Sequence, residues 1–99
     1  MAYEIMVGLT VSDDKVYQEY RDAMAPILSQ YGGGFRFDFV VSKVLKTESN
    51  HEINRVFAIY FASLESRNAF FSHPDYKIIK SKYFERSVTG TTIIAEYAR

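Results

Sequence analysis

The chain has no cysteine, so it can form no disulfide, thiolate nucleophile or cysteine-based metal site. Its two histidines occur as His51-Glu52 and His73-x-Asp75. That is too sparse a donor set to surround an ion, and no metal is expected. Net charge is absent too: 12 basic residues cancel 12 acidic ones, leaving no field to draw the chain to nucleic acid or an anionic surface. No apolar run approaches the roughly 18 residues of a membrane span. Met1-Ala2-Tyr3-Glu4 lacks the basic-then-apolar layout of a signal peptide. A cytoplasmic protein with no membrane and no nucleic-acid partner is therefore expected.

What is present is apolar and aromatic. The 99 residues are 47% hydrophobic and 16% aromatic, enough for one globular domain over residues 1–99. A chain of this length buries only about 60–65% of its unfolded surface, so a second copy is a natural source of further burial. Tyr3, Ile5, Val7, Leu9 and Val11 alternate with Glu4, Met6, Gly8 and Thr10, the period of a strand. Ser12-Asp13-Asp14 is a helix start, with a capping oxygen and acids at the positive end of the dipole. From Val16 to Tyr31, apolar residues recur at steps of three and four, an amphipathic helix. Pro26 lies inside it, so a kink or break is expected near Ala23–Ala25. Gly32-Gly33 suit a left-handed C-cap.

A second strand is expected over about Phe35–Val44, a polar loop over Lys46–His51, and a third strand over about Ile53–Phe61. Ser63 caps a second helix through Phe71. Pro74 opens a further helical segment with Tyr76, Ile79 and Tyr83 on its apolar side. The last strand runs from about Ser87 to Tyr97. The order β-α-β-β-α-β predicts an α+β, ferredoxin-like fold, a four-stranded antiparallel sheet with two helices on one face. Simple alternation puts Phe35, Phe37 and Phe39 beneath the helices beside Ile5, Val7, Phe57 and Ile59. It puts Glu4, Met6, Arg36, Asp38, Tyr60 and Ile93 on the other face. That second face is mixed, and two sheets meeting there would cover it and can enclose a polar-lined space.

Spaced residues along nearly the whole chain carry a resemblance. They are Tyr3-x-Ile5, Val11-x-Asp13, Tyr17-x-x-Tyr20-Arg21, Pro26 and Tyr31-Gly32-Gly33-x-Phe35. Phe61-x-Ser63-Leu64-Glu65, Ala69-Phe70-Phe71 and Pro74-Asp75-Tyr76 follow in the second half. Together they resemble a bacterial domain-of-unknown-function family of the dimeric α+β-barrel superfamily. The resemblance implies a ferredoxin-like protomer that forms a homodimer sheet to sheet, and no known reaction. Relatives in the superfamily include cofactor-free monooxygenases, isomerases and dehalogenases of small ring compounds, and simple ligand binders. The chain departs from the family pattern at Phe70, where the family has Trp, at His73, where it has Ser, and at Tyr83, where it has Arg.

Several residue groups invite chemistry. Gly32-Gly33-Gly34 follow a helix and precede a strand, the reverse of a phosphate-binding loop, and read as a cap. Phe35-Arg36-Phe37-Asp38-Phe39 echoes an RNA-stacking strand. It lies on the wrong strand for that role and faces the helices, so core is the reading preferred. Arg36 and Asp38, two apart and facing Tyr60, can hold a carboxylate or enolate and supply a base. They can equally form an ion pair in a dimer face. His73 can act as acid or base, or simply cap a helix. Tyr20 can line a pocket between helix and sheet, or serve as core. Lys77, Lys80, Lys82 and Arg86 form a mild basic patch, either a solvated helix face or a site for an acidic metabolite. No elbow motif supports a Ser-His-Asp triad. The expectation is a cofactor-free homodimer binding a small organic ligand through Arg36, Asp38, Tyr60, Tyr20 and His73. The alternative is a monooxygenase- or isomerase-like enzyme using Asp38 or His73.

Overall fold

The computed structural model describes residues 1–99. Strand β1 (Tyr3–Val11) leads into helix α1 (Asp14–Gln30), then β2 (Gly34–Val40) and β3 (Arg55–Phe61). Helices α2 (Leu64–Ser72) and α3 (Pro74–Ile79) follow. A π-helical turn over Lys80–Phe84 and a last helical turn, α4 (Glu85–Ser87), lead into β4 (Val88–Ala98). The sheet order is β2-β3-β1-β4, and every neighbouring pair is antiparallel. The four-stranded α+β fold read from the element pattern is what the chain adopts. No helix is long and apolar enough to cross a membrane.

The helix ends follow local chemistry. The Asp13 carboxylate accepts from the Val16 N–H at 3.1 Å, and the Ser63 hydroxyl accepts from the Ser66 N–H at 3.0 Å. Each satisfies a donor that the first turn leaves free. Helix α1 runs unbroken through Pro26, so the expected break is not there. Its end is a Schellman turn. Gly32 adopts φ +65°, its N–H bonds the Ser29 carbonyl, and the Gly33 N–H bonds that of Leu28. A β-carbon on Gly33 would come within 2.5 Å of the Tyr60 carbonyl oxygen, so the turn into β2 has room only for glycine there.

The core lies between the helices and one face of the sheet, where Leu9, Tyr17, Phe61 and Phe70 are wholly buried. Burial of each such side chain contributes about 1.5–3 kcal/mol. The other face shows where alternation fails. Phe35 stands opposite Ile59, and the next paired residue, Phe37, stands opposite Ala58. Arg36 is thus an extra residue, a β-bulge, and every later side chain in β2 is turned over. Phe37 and Phe39 point away from the helices and remain about half exposed. Asp38 lies opposite Phe57, on the helix side. The expectation of Phe37 and Phe39 in the core and Asp38 beside Arg36 is thereby corrected. A second bulge, at Ile94 in β4, likewise moves Ile93 to the helix side, opposite Val7.

Strand β2 stops at Val40, short of the expected Val44, and the loop that follows meets the outer face through His51, Glu52 and Ile53. Ile53 is buried where Gly8 leaves a notch. The His51 ring spans two strands, with Nδ1 2.7 Å from the Thr10 hydroxyl and Nε2 2.7 Å from that of Thr92. The Thr10 hydroxyl donates to the Glu52 carbonyl, so in that bridge it accepts from the Nδ1–H. The loop thus covers the end of the outer face at Gly8, Thr10 and Thr92. Phe37 and Phe39, on the β2 edge, stay about half exposed, and Glu4, Tyr60 and Tyr97 lie in the row at the other end.

Candidate functional site

Helix α1 carries Tyr17, Arg21, Met24 and Leu28 on its buried side. Steps of three and four align them on one face, so the sheet receives a guanidinium in the middle of an apolar stripe. Arg21 is only 9% exposed. Its Cζ sits 3.8 Å from the Phe35 ring centroid and 4.7 Å from that of Phe57. Its Nε donates to the Tyr17 hydroxyl at 2.8 Å, and its two terminal nitrogens donate to Asp38 at 3.1 and 3.3 Å. Arg55, on β3, donates to the same carboxylate at 2.8 and 2.9 Å. Burial by itself raises the Asp38 pKa, but the hydrogen bonds and charges of Arg55 and Arg21 outweigh it and hold the group below the usual carboxylate value. Asp38 is ionised and saturated with donors, which is a structural ion pair and not a poised base.

Beside this cluster, between helices and sheet, lies a cavity of about 480 Å³, within the range of small-molecule sites. Its floor is β1, through Ile5, Val7 and Leu9. Its roof includes Tyr20 and Tyr76, whose hydroxyls are 2.9 Å apart. Burial pushes both hydroxyls above the ordinary tyrosine value, Tyr20 the more strongly because the Tyr76 and Tyr17 phenols add to it, whereas at Tyr76 the hydrogen bond with Tyr20 partly offsets it. Both are neutral groups able to donate and accept hydrogen bonds. Of the 17 lining residues 13 are hydrophobic, and the other four are Arg21, Arg67, Lys80 and Thr91. The polar lining therefore includes three cations and no acid. Its exposed members are Lys80, Thr91 and Ile93, which puts the mouth between the π-helical turn and β4.

The structure divides the residues singled out in the sequence. Tyr20 lines the cavity. Asp38 lies behind it, bound to Arg21, and is not a lining residue. Arg36 is on the outer face, where its Nε donates to Glu4 at 2.6 Å. Glu4 is 2% exposed and also accepts from the Tyr97 hydroxyl. Burial raises the Glu4 pKa, and the hydrogen bonds from Tyr97 and Arg36 more than reverse it. Tyr60 shares that face, opposite Glu4 and Gly34. His73 caps α3, its Nδ1 accepting from the Asp75 N–H at 3.1 Å, and it packs against the Tyr31 ring. It takes no part in the cavity. The five residues expected to share one site are therefore spread over the cavity, the outer face and a helix cap. The bulge separates Asp38 from Arg36 and Tyr60, and the cap keeps His73 at the edge of the helix layer.

Sequence reasoning passed over Arg21, Arg67 and Tyr76. For Arg21 a signal existed: a charged residue in phase with Tyr17, Met24 and Leu28. Arg67 carried none, because its place depends on how α2 packs beside β4. Phe70, where the related family has Trp, is buried against Phe61 and Tyr76, outside the cavity lining.

Several solved structures share the fold. A protein of unknown function from Rhodopseudomonas palustris superposes with TM-score 0.80 at 14% identity, covering 94% of this chain and 78% of that one. A dabb family protein with a ferredoxin-like fold from Mesorhizobium loti gives 0.65 at 16% identity, covering 99% and 96%. A dimeric protein of unknown function with a ferredoxin-like fold from Bacteroides fragilis gives 0.60 at 14% identity, covering 99% and 96%. Among curated proteins none matches significantly. Residues 1–97 match the profile of a domain-of-unknown-function family, and the chain belongs to that family, DUF1330.

Proposed function

We propose that this chain is a single-domain binding protein for a small organic ligand, held in the cavity between sheet and helices, and that it works as a homodimer. The observation that carries the reading is the cavity: about 480 Å³, floored by apolar strand residues and roofed by a tyrosine pair. A cofactor-independent enzyme would need a free acid or base against that space. Asp38 is consumed by two arginines, and His73 is engaged in a cap, so binding is the better-supported reading. The homodimer is supported by half-exposed Phe37 and Phe39 on the outer face. Neighbours of the same fold from Bacteroides fragilis and Jannaschia are described as dimeric.

The test is a titration of the isotope-labelled protein with a panel of neutral aromatic fragments of naphthalene size, followed by amide NMR. Shifts are expected to concentrate on Val7, Phe71 and Ile93, and to vanish in Ile93→Trp, which narrows the mouth at a half-exposed position. Saturating fragments that leave those signals unmoved would refute the reading.

A further inference from the structure

Arg67 lines the cavity, and its Nε is buried without a hydrogen-bond partner, the one such side-chain atom in the protein. Buried N–H groups are almost always paired, and an orphan carries a standing cost. The rest of the guanidinium is occupied: one terminal nitrogen donates to Asn68 at 3.1 Å and the other to Glu96 at 3.2 Å. Glu96 is itself shared, because it also accepts from the Tyr3 hydroxyl at 3.3 Å. The Arg67 Cζ lies over Phe71, 5.0 Å from the ring centroid, so the head group is held by packing as well as by polar contacts.

The other two lining cations differ from Arg67. Every nitrogen of Arg21 already has a partner in Tyr17 or Asp38. Lys80 stands exposed at the mouth and enters no ion pair. The unpaired charge at the opening is therefore the Lys80 ammonium. The Arg67 guanidinium, ion-paired with Glu96, adds a buried donor without a partner, and no carboxylate lines the space. Behind them the walls are apolar and aromatic.

From this arrangement, and resting on the cavity being a binding site, we propose that the ligand is a small organic anion. It is a carboxylate or phenolate on a flat apolar body, its charged head at Arg67 and Lys80 and its body between the Tyr20–Tyr76 pair and β1. The head supplies the acceptor that the Arg67 Nε–H lacks, and a charged acceptor makes the stronger hydrogen bond.

A matched pair of probes tests the charge apart from the cavity: 1-naphthoate and 1-naphthamide, titrated into the labelled protein by NMR. We expect naphthoate to bind about tenfold more tightly than naphthamide, as one charge-assisted hydrogen bond gives, and to shift the Arg67 Nε–H signal. Arg67→Gln should bring naphthoate down to the affinity of the amide and leave the amide unchanged. Arg67→Lys, which keeps the charge without the Nε donor, should fall between them and serves if the glutamine variant folds poorly. Equal affinity of the two probes in the wild type, or no effect of either substitution, overturns the anion and leaves the cavity reading standing. Failure of both probes to move any cavity signal overturns both.

Discussion

Asp38 receives four hydrogen bonds from two arginines, and Arg21, the more buried of the two, depends on it for charge balance. Removing one partner of a fully buried pair costs about 3–5 kcal/mol. Asp38 keeps about a third of its side chain exposed, so screening reduces the figure, and Asp38→Asn should cost about 1–2 kcal/mol at pH 7. The pH dependence has a definite sign. Asp38 and Glu4 both have pKa values lowered by folding. Their contribution is present above the unfolded carboxylate values of about 3.9 and 4.3, and is lost as pH falls through the lower folded values. Urea midpoints should therefore separate wild type from Asp38→Asn at pH 7 and converge as pH falls below the unfolded carboxylate value. A constant gap across that range would show that Asp38 contributes through shape alone. Arg21 was legible as an anomaly in the α1 stripe. Its partner was not, because two residues 17 apart meet only if β2 is turned over at Arg36.

The bulge in β2 is the element on which the site depends. Phe35-Arg36-Phe37-Asp38-Phe39 has two periodic readings, and a one-residue shift exchanges their faces. Regular alternation buries three phenylalanines and exposes Asp38. The bulge instead gives up Phe37 and Phe39 to the surface, where their rings stack with centroids 6.0 Å apart. In return it delivers a carboxylate to Arg21 and Arg55, while Arg36 stays on the outer face with the buried Glu4. Desolvated charge without a partner is more costly than half-exposed rings, which is why this register prevails. Deletion of Arg36 should then leave a regular ladder with the same pairs, Phe35 with Ile59 and Phe37 with Ala58, while Glu4 loses a donor. We expect the variant to fold with a loss of about 1–3 kcal/mol, measured by chemical denaturation. Cross-strand NOEs from Phe37 to Ala58 check the register, and Phe37 found beneath α1 would show that pairing of Asp38 with Arg21 and Arg55 does not set it.

For the whole molecule, the two faces of the sheet have separate tasks. The inner face holds the cavity. The outer face is closed at one end by residues 51–53, with Ile53 at Gly8 and His51 between Thr10 and Thr92. That leaves Phe37, Phe39, Tyr60 and Tyr97 as the surface for the proposed second copy. Light scattering should give twice the mass of the chain. Phe37→Glu with Phe39→Glu should halve that value, because two carboxylates buried on each side of an interface lack partners. A wild-type protein of single-chain mass at micromolar concentration would remove the homodimer from the proposal. It would leave the cavity, which lies within one chain, untouched.

Element order, helix caps and the α+β architecture followed from the chain itself, because hydrophobic period, Asp13, Ser63 and Gly32-Gly33 act over a few residues. The family resemblance rested on residues spread along those same elements. Only the folded structure decided which face each side chain of β2 and β4 takes, because a bulge is settled by burial and charge balance between strands. For the same reason it alone separated Asp38 from Arg36 and Tyr60 and brought Arg21, Arg67 and Lys80 around one apolar space. Those residues lie on three different helical segments, and only packing against the sheet places them together.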